Sequence, residues 1–164
     1  MSEGGGMNQT TIERGTEMKL VRRSIRRIAS GAPEFINITD EVLRTVEESG
    51  VREGTVLVFT RHTTAAVKIN ENEPLLLGDM ARFLERSAPR TADYRHNDFV
   101  IRTVNMTEDE CPNGHSHCQH LLLSASETIP IADGQALLGQ WQSIFFIELD
   151  RPREREIIIQ VQGW

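Results

Sequence analysis

The last third of the chain sets the tightest limit on its fold. Glu127-Thr128-Ile129-Pro130-Ile131, Ala136-Leu137-Leu138, Ser143-Ile144-Phe145-Phe146-Ile147-Glu148-Leu149 and Glu156-Ile157-Ile158-Ile159-Gln160-Val161 are strand-length apolar runs. Ala132-Asp133-Gly134 and Asp150-Arg151-Pro152-Arg153 are turn-forming clusters between them. Strands separated by such short connections pair antiparallel.

More strands precede these. Val56-Leu57-Val58-Phe59, introduced by Gly54, predicts a buried strand, and Ala65, Val67 and Ile69 alternate with Ala66, Lys68 and Asn70 in a second extended piece. Met18–Ile28 predicts a bent strand with a wet, arginine-bearing face, and Glu34–Ile38 a short one. Two helices are also predicted. The first runs from Thr39, as N-cap, with Asp40 and Glu41 where the helix dipole favours negative charge, to a stop at Gly50. The second runs from Pro74 to about Ser87, with Leu76, Met80, Phe83 and Leu84 as its apolar stripe and Pro89 after its end. The expected fold is α+β: largely antiparallel β-sheets with two helices packed against them, in a single compact domain over residues 18–164. Residues 1–17 lack the basic-then-apolar pattern of a secretory signal and are expected to be a disordered extension.

Composition narrows the function. A formal charge of −6 argues against nucleic acid as the main partner. No apolar run of about 18 residues is present to cross a membrane. Cys111 and Cys118 form no disulfide framework, which points to a reduced, cytoplasmic setting, and structural zinc spacing of the Cys-x2-Cys type is absent.

The chemistry-bearing residues are histidines. His62 stands where the buried strand meets solvent, beside the small Thr63, Thr64, Ala65 and Ala66, with Asn70, Glu71 and Asn72 following. Its surroundings suit a metal or phosphate pocket, or simply a surface strand end. The long polar segment Ala88–Gly114 carries Tyr94-Arg95-His96-Asn97, and loops of that length are usually functional or mobile. His115-Ser116-His117, read as a strand, turns two imidazoles to one face, where they can hold one divalent metal; in a helix they would diverge.

Four pieces together resemble the YjbQ-type family, whose members are often called secondary thiamine-phosphate synthases. They are His62-Thr63-Thr64-Ala65-Ala66 with Ile69-Asn70-Glu71-Asn72; the Asp79 helix with Tyr94-Arg95-His96-Asn97; Asn113-Gly114-His115-Ser116-His117; and Ser126 through Ile144, with Trp141-Gln142, followed by Glu148 and Arg151-Pro152-Arg153. The resemblance implies a homotrimer with polar clefts near subunit boundaries. It implies weak coupling of a hydroxymethylpyrimidine diphosphate with a thiazole phosphate, giving thiamine phosphate and pyrophosphate. Gln119, Ser124 and Gln140 stand where the family usually has lysine, glycine and threonine, so a neutral donor replaces a cation where the family's lysine would meet phosphate.

On this basis His62, His96 and His117 are expected to bind one divalent metal, zinc or another transition metal, with magnesium as the companion of a diphosphate. Asp79 or Glu71 would orient a ligand ring. Asn70, Asn97, His115, Ser126, Gln142, Arg151 and Arg153 are candidate contacts to a small phosphorylated substrate, the arginines alternatively pairing with Glu148 or Asp150. Trp141 reads as core or as a stacking platform. The same site serves two other readings: a non-catalytic metal- or ligand-binding trimer, and a metal-dependent hydrolase of a phosphorylated metabolite.

Overall fold

The computed structural model describes residues 17–164; the extension expected over residues 1–17 lies, except for Glu17, outside them. In chain order the elements are β1 (Lys19–Ile28), β2 (Glu34–Asn37), α1 (Thr39–Ser49), β3 (Gly54–Thr60), β4 (Ala65–Asn70), α2 (Pro74–Ser87), α3 (Gly114–His120), β5 (Ser126–Ala132), β6 (Gln135–Ala136), β7 (Ser143–Glu148) and β8 (Glu154–Gly163). All strand pairing is antiparallel, in a five-stranded sheet ordered β1-β8-β3-β5-β6 and a three-stranded sheet ordered β2-β7-β4. The α+β class and the single domain agree with the expectation.

The main core lies between the two sheets and α1. Val56, Val58, Ile157, Ile159 and Val161 of the large sheet meet Val67, Ile144 and Phe146 of the small one and Val42 and Val46 of α1. These residues recur every second position along their strands, so one face of each strand is interior. β7 is apolar on both faces: Phe145 and Ile147 join Ala66, Leu84 and Leu149 in a second core. A strand buried on both sides reads as a continuous apolar run.

Four local expectations need correction. The segment Asp150–Arg153 is not a hairpin turn, because β7 and β8 belong to different sheets. β3 and β4 are likewise not a pair; the chain crosses between sheets at Arg61–Thr64. Turn length shows that two strands lie close but not that they share hydrogen bonds. The expected stripe of α2 is only lightly covered: Leu84 is buried, whereas Phe83 is 53% exposed. Trp141 is not core either, being 66% exposed on a turn closed by the Gly139 and Gln142 backbone. The wet face of β1 is laced with ion pairs: Arg23 and Arg27 pair with Glu48 and Glu41 of α1, and Arg26 with Glu154.

Candidate functional site

The two sheet crossings run side by side, tied by a hydrogen bond from the Leu149 amide to the Thr64 carbonyl. Over them lies α3 and the loop that contains a helical turn at Arg95–Asn97. Between these elements is a cleft of about 440 Å³. His62, Thr63 and Thr64 reach it from the first crossing, Arg153 and Arg155 from the second, His96, Arg102, Asn105 and Glu110 from the long loop, and Asn113 and His117 from α3 and its approach.

The pairing of His96 with His117 follows from local sequence. Gly114 begins α3 against the Tyr94 ring, where a Cβ would stand 2.6 Å from Tyr94 Cβ and 2.8 Å from Cγ. Only glycine permits that approach. Asn97 Oδ1 accepts the Gly114 N–H at 2.9 Å, and Tyr94 Oη donates to the Pro89 carbonyl, so the loop is tied to the helix. The result sets the two imidazoles edge to face, ring centroids 4.7 Å apart. His96 Nε2 is buried with no hydrogen-bond partner. A buried nitrogen in that state is costly unless something else supplies the bond.

Charge is arranged around the same space. Burial holds the His62 imidazole below its ordinary value, and the Arg155 and Arg153 guanidiniums push it further the same way. Burial, then His96 and Arg102, lowers His117. Behind the arginines stand carboxylates sealed from solvent: Glu148, 0% exposed, bonds Arg155, and Asp150, 1% exposed, faces both Arg151 and Arg153 at 3.5 and 3.4 Å. The cleft therefore presents the neutral imidazoles of His62 and His117 together with guanidiniums, backed by buried acids. That arrangement receives an anion more readily than a bare cation.

The expected residues divide into two groups. His62, His96, His117 and Arg153 meet in the cleft, and Asn97 supports it through Gly114. The others stand elsewhere. His115 lies in a helix rather than a strand, so it diverges from His117; it is 1% exposed, and its Nε2 meets Ser116 Oγ at 3.1 Å. Asn70, Glu71 and Gln142 are carried to the opposite end of the small sheet, because β4 leads away from His62 and pairs Asn70 with Ser143. Asp79 is exposed and paired with Arg82 one turn along α2. Ser126 sits opposite Phe59 on β5, and Arg151 turns to Asp109 and Asp150. Gln119, at the position of the family's lysine, is fully buried with its Nε2 donating to the Ala88 carbonyl, away from the cleft. Ser124 bonds the Val67 carbonyl and Glu127.

Among the described residues no group of three or more His, Cys, Asp or Glu side chains stands ready to hold a metal ion. The three imidazoles share a cleft without closing on one point, and His62 Nε2 is turned to the Glu156 amide at 3.4 Å. Of the three, only His96 and His117 are in ring contact.

The sequence marks neither Arg155 nor Arg102 as a site residue, and it names Glu148 and Asn113 without placing them at the cleft; Glu148 pairs with an arginine as the alternative expected, but with Arg155 rather than Arg151 or Arg153. A signal for Arg155 and Glu148 was present. Arg155 is in phase with Ile157, Ile159 and Val161, and Glu148 with Ile144 and Phe146, so each occupies an inward position of its strand. Arg102 and Asn113 had no such periodic signal. No helix among the described residues is long and apolar enough to cross a membrane.

Residues 24–164 match the family model described as UPF0047 protein YjbQ-like. A UPF0047 protein of Methanothermobacter thermautotrophicus is 41% identical over 91% of this chain and 96% of its own length. The YjbQ protein of Escherichia coli O157:H7 is 31% identical over 79% and 88%. Among solved structures, a YbjQ-like protein of Sulfolobus solfataricus P2 superposes with a TM-score of 0.79 at 32% identity, covering 90% of this chain and all of that one.

Proposed function

The chain belongs to the UPF0047, YjbQ-like family, and from that premise we propose that its cleft binds a small phosphorylated substrate and performs a weak thiamine-phosphate synthase-like transfer. In that reaction a nucleophilic ring nitrogen of a thiazole phosphate displaces pyrophosphate from a hydroxymethylpyrimidine diphosphate. The observation that carries the proposal is the single cleft in which three imidazoles meet Arg102, Arg153 and Arg155. Displacement of pyrophosphate needs its developing charge stabilised and the two reactants aligned, and little covalent chemistry beyond that. The guanidiniums supply the first. Neutral His62 donates to departing oxygens, and the unpartnered Nε2 of buried His96 leaves a bond for the bound substrate or its companion cation to supply.

A divalent cation belongs to this proposal as the companion of the diphosphate, magnesium or a transition ion such as zinc. His96 and His117 would hold it, and it would supply further neutralisation of the leaving group. The homotrimer is part of the same proposal. Leu20, Ile28 and Trp141 are large apolar side chains more than half exposed, as an interface between copies would leave them in one chain.

The test is direct. Purified protein, supplied with both substrates and magnesium, should form thiamine phosphate, and His117→Ala should lower the rate about a hundredfold while preserving the fold. Equal rates in the two proteins would sink the proposal. Phosphate release without the thiazole substrate would favour the hydrolase reading, in which His96 Nε2 accepts a proton from water. Binding without turnover in either assay would favour the non-catalytic trimer. Molecular mass in solution decides the oligomer.

A further inference from the structure

Arg155 is an unusual side chain to find 2% exposed at the floor of a polar cleft. Its Nε donates to Glu148 Oε2 at 2.6 Å, and its Nη2 donates to Glu148 Oε1 at 2.7 Å and to Thr64 Oγ1 at 2.9 Å. A guanidinium carries five N–H donors in a rigid plane. Three are used in this fork, and Nη1 takes no part in it. Nη1 is not among the buried side-chain atoms left without a partner, so it is the edge of the plane that meets the cleft. Meanwhile the fork fixes the whole plane, since Glu148 is itself 0% exposed and also accepts the Asp150 amide.

We propose that Arg155 is the phosphate-binding guanidinium of the cleft, with Nη1 as the donor edge and Glu148 as the positioning residue that holds it. This deepens the functional reading above and rests on it. Arg155 suits the task better than its neighbours do. Arg151 is spent on Asp109 and Asp150 outside the cleft. Arg153 is 40% exposed and loosely held, 3.4 Å from Asp150. Arg102 is bound to Glu110 and to loop carbonyls. An anion that meets Arg155 finds a donor already ordered by the fork, so binding spends little on fixing the side chain. Because Glu148 neutralises one charge, the net attraction comes from the wider arginine field, while Arg155 fixes where the phosphate sits. Thr64 and His62 lie on the same crossing, so a phosphate on Nη1 is delivered beside the His62 imidazole.

The probe is inorganic pyrophosphate, titrated calorimetrically into the full-length protein, Arg155→Lys and Arg151→Gln. Lysine keeps the charge and loses the planar fork. Arg155→Lys should bind about tenfold more weakly, whereas Arg151→Gln should stay within about twofold of the parent. Equal affinity of Arg155→Lys and the parent overturns the assignment. A parent that binds no pyrophosphate overturns the functional reading together with it. If Arg155→Lys fails to fold, arginine side-chain nitrogen resonances of the parent decide. Pyrophosphate should shift those of Arg155 and leave those of Arg151 in place. Binding that leaves the Arg155 resonances unmoved overturns the proposal.

Discussion

The two ends of β7 handle polar residues in opposite ways. At the end where the chain crosses between sheets, Glu148, Asp150 and Arg155 are sealed from solvent and tied to one another or to neighbouring guanidiniums. At the other end, Asn70, Glu71 and Gln142 are exposed; Asn70 Oδ1 accepts the Glu71 N–H and Gln142 Oε1 the Gly139 N–H, both within their own turns. Both ends carry residues that the sequence marks as special. Only the first converts them into fixed geometry, because a buried charge must have a partner in a defined place. That is why the cleft, with its imidazoles, lies at the crossing end.

The largest expected effect breaks this order directly. Glu148→Ala leaves the Arg155 charge buried and unpaired, which should cost about 3–5 kcal/mol of stability. Glu71→Ala at the other end should change it by less than about 0.5 kcal/mol. Urea denaturation of both variants checks the pair. A small effect of Glu148→Ala would mean that water reaches Arg155, and the contrast between the ends would lose its physical basis.

Close backbone packing provides the second contrast. Gly114→Ala forces a methyl into the Tyr94 ring and should displace α3, costing about 1–3 kcal/mol and separating His117 from His96. Gly163→Ala sits at the far end of β8, where φ is +155° and a Cβ would stand 2.1 Å from the Glu53 carbonyl oxygen. It should destabilise at least as much. Activity per folded molecule separates them: it should fall with Gly114→Ala and persist with Gly163→Ala.

How much was legible beforehand follows the same division. Strand and helix identities came from local periodicity, which β8 and α1 obey closely. His62, His96 and His117 were legible because imidazoles are rare and their motifs distinctive. Sheet membership was not legible, since the tight Asp150–Arg153 connection looks the same whether it turns a hairpin or crosses between sheets. The conformation of His115-Ser116-His117 was not legible either. Seven residues carry too little pattern, and the deciding contact, Gly114 on Tyr94, lies twenty residues away in sequence. Asn70 and Glu71 were misplaced for a third reason. They follow His62 closely in sequence, but a strand of six residues intervenes and spans about 20 Å.

Acid should act on the crossing end first. His62, His115, His117 and His120 all titrate below their ordinary value, chiefly through burial. The unfolded chain therefore binds protons near pH 6.5 while the folded one resists them. Stability is full above that region and declines as pH falls through about 6.5 toward the lowered folded values. Melting temperature should drop between about pH 8 and 5, and His117→Asn should flatten that drop. An unchanged slope would mean that His117 is protonated freely in the folded protein.

The smallest expected effect is the one that most sharpens the comparison. Asn70→Ala and Glu71→Gln alter exposed side chains roughly a strand's length from the cleft of their own chain, so stability should move by less than about 0.5 kcal/mol. Catalysis within one chain should not move at all. The proposed trimer, however, offers a second geometry, in which the far end of one copy approaches another copy. A loss of transferase activity beyond about tenfold, with an unchanged melting curve, would show that the exposed end works in a neighbour's cleft. Mixing each variant with His117→Ala protein would then discriminate: activity regained in mixed oligomers requires the two residues to act from different subunits, whereas no recovery keeps the whole site within one chain.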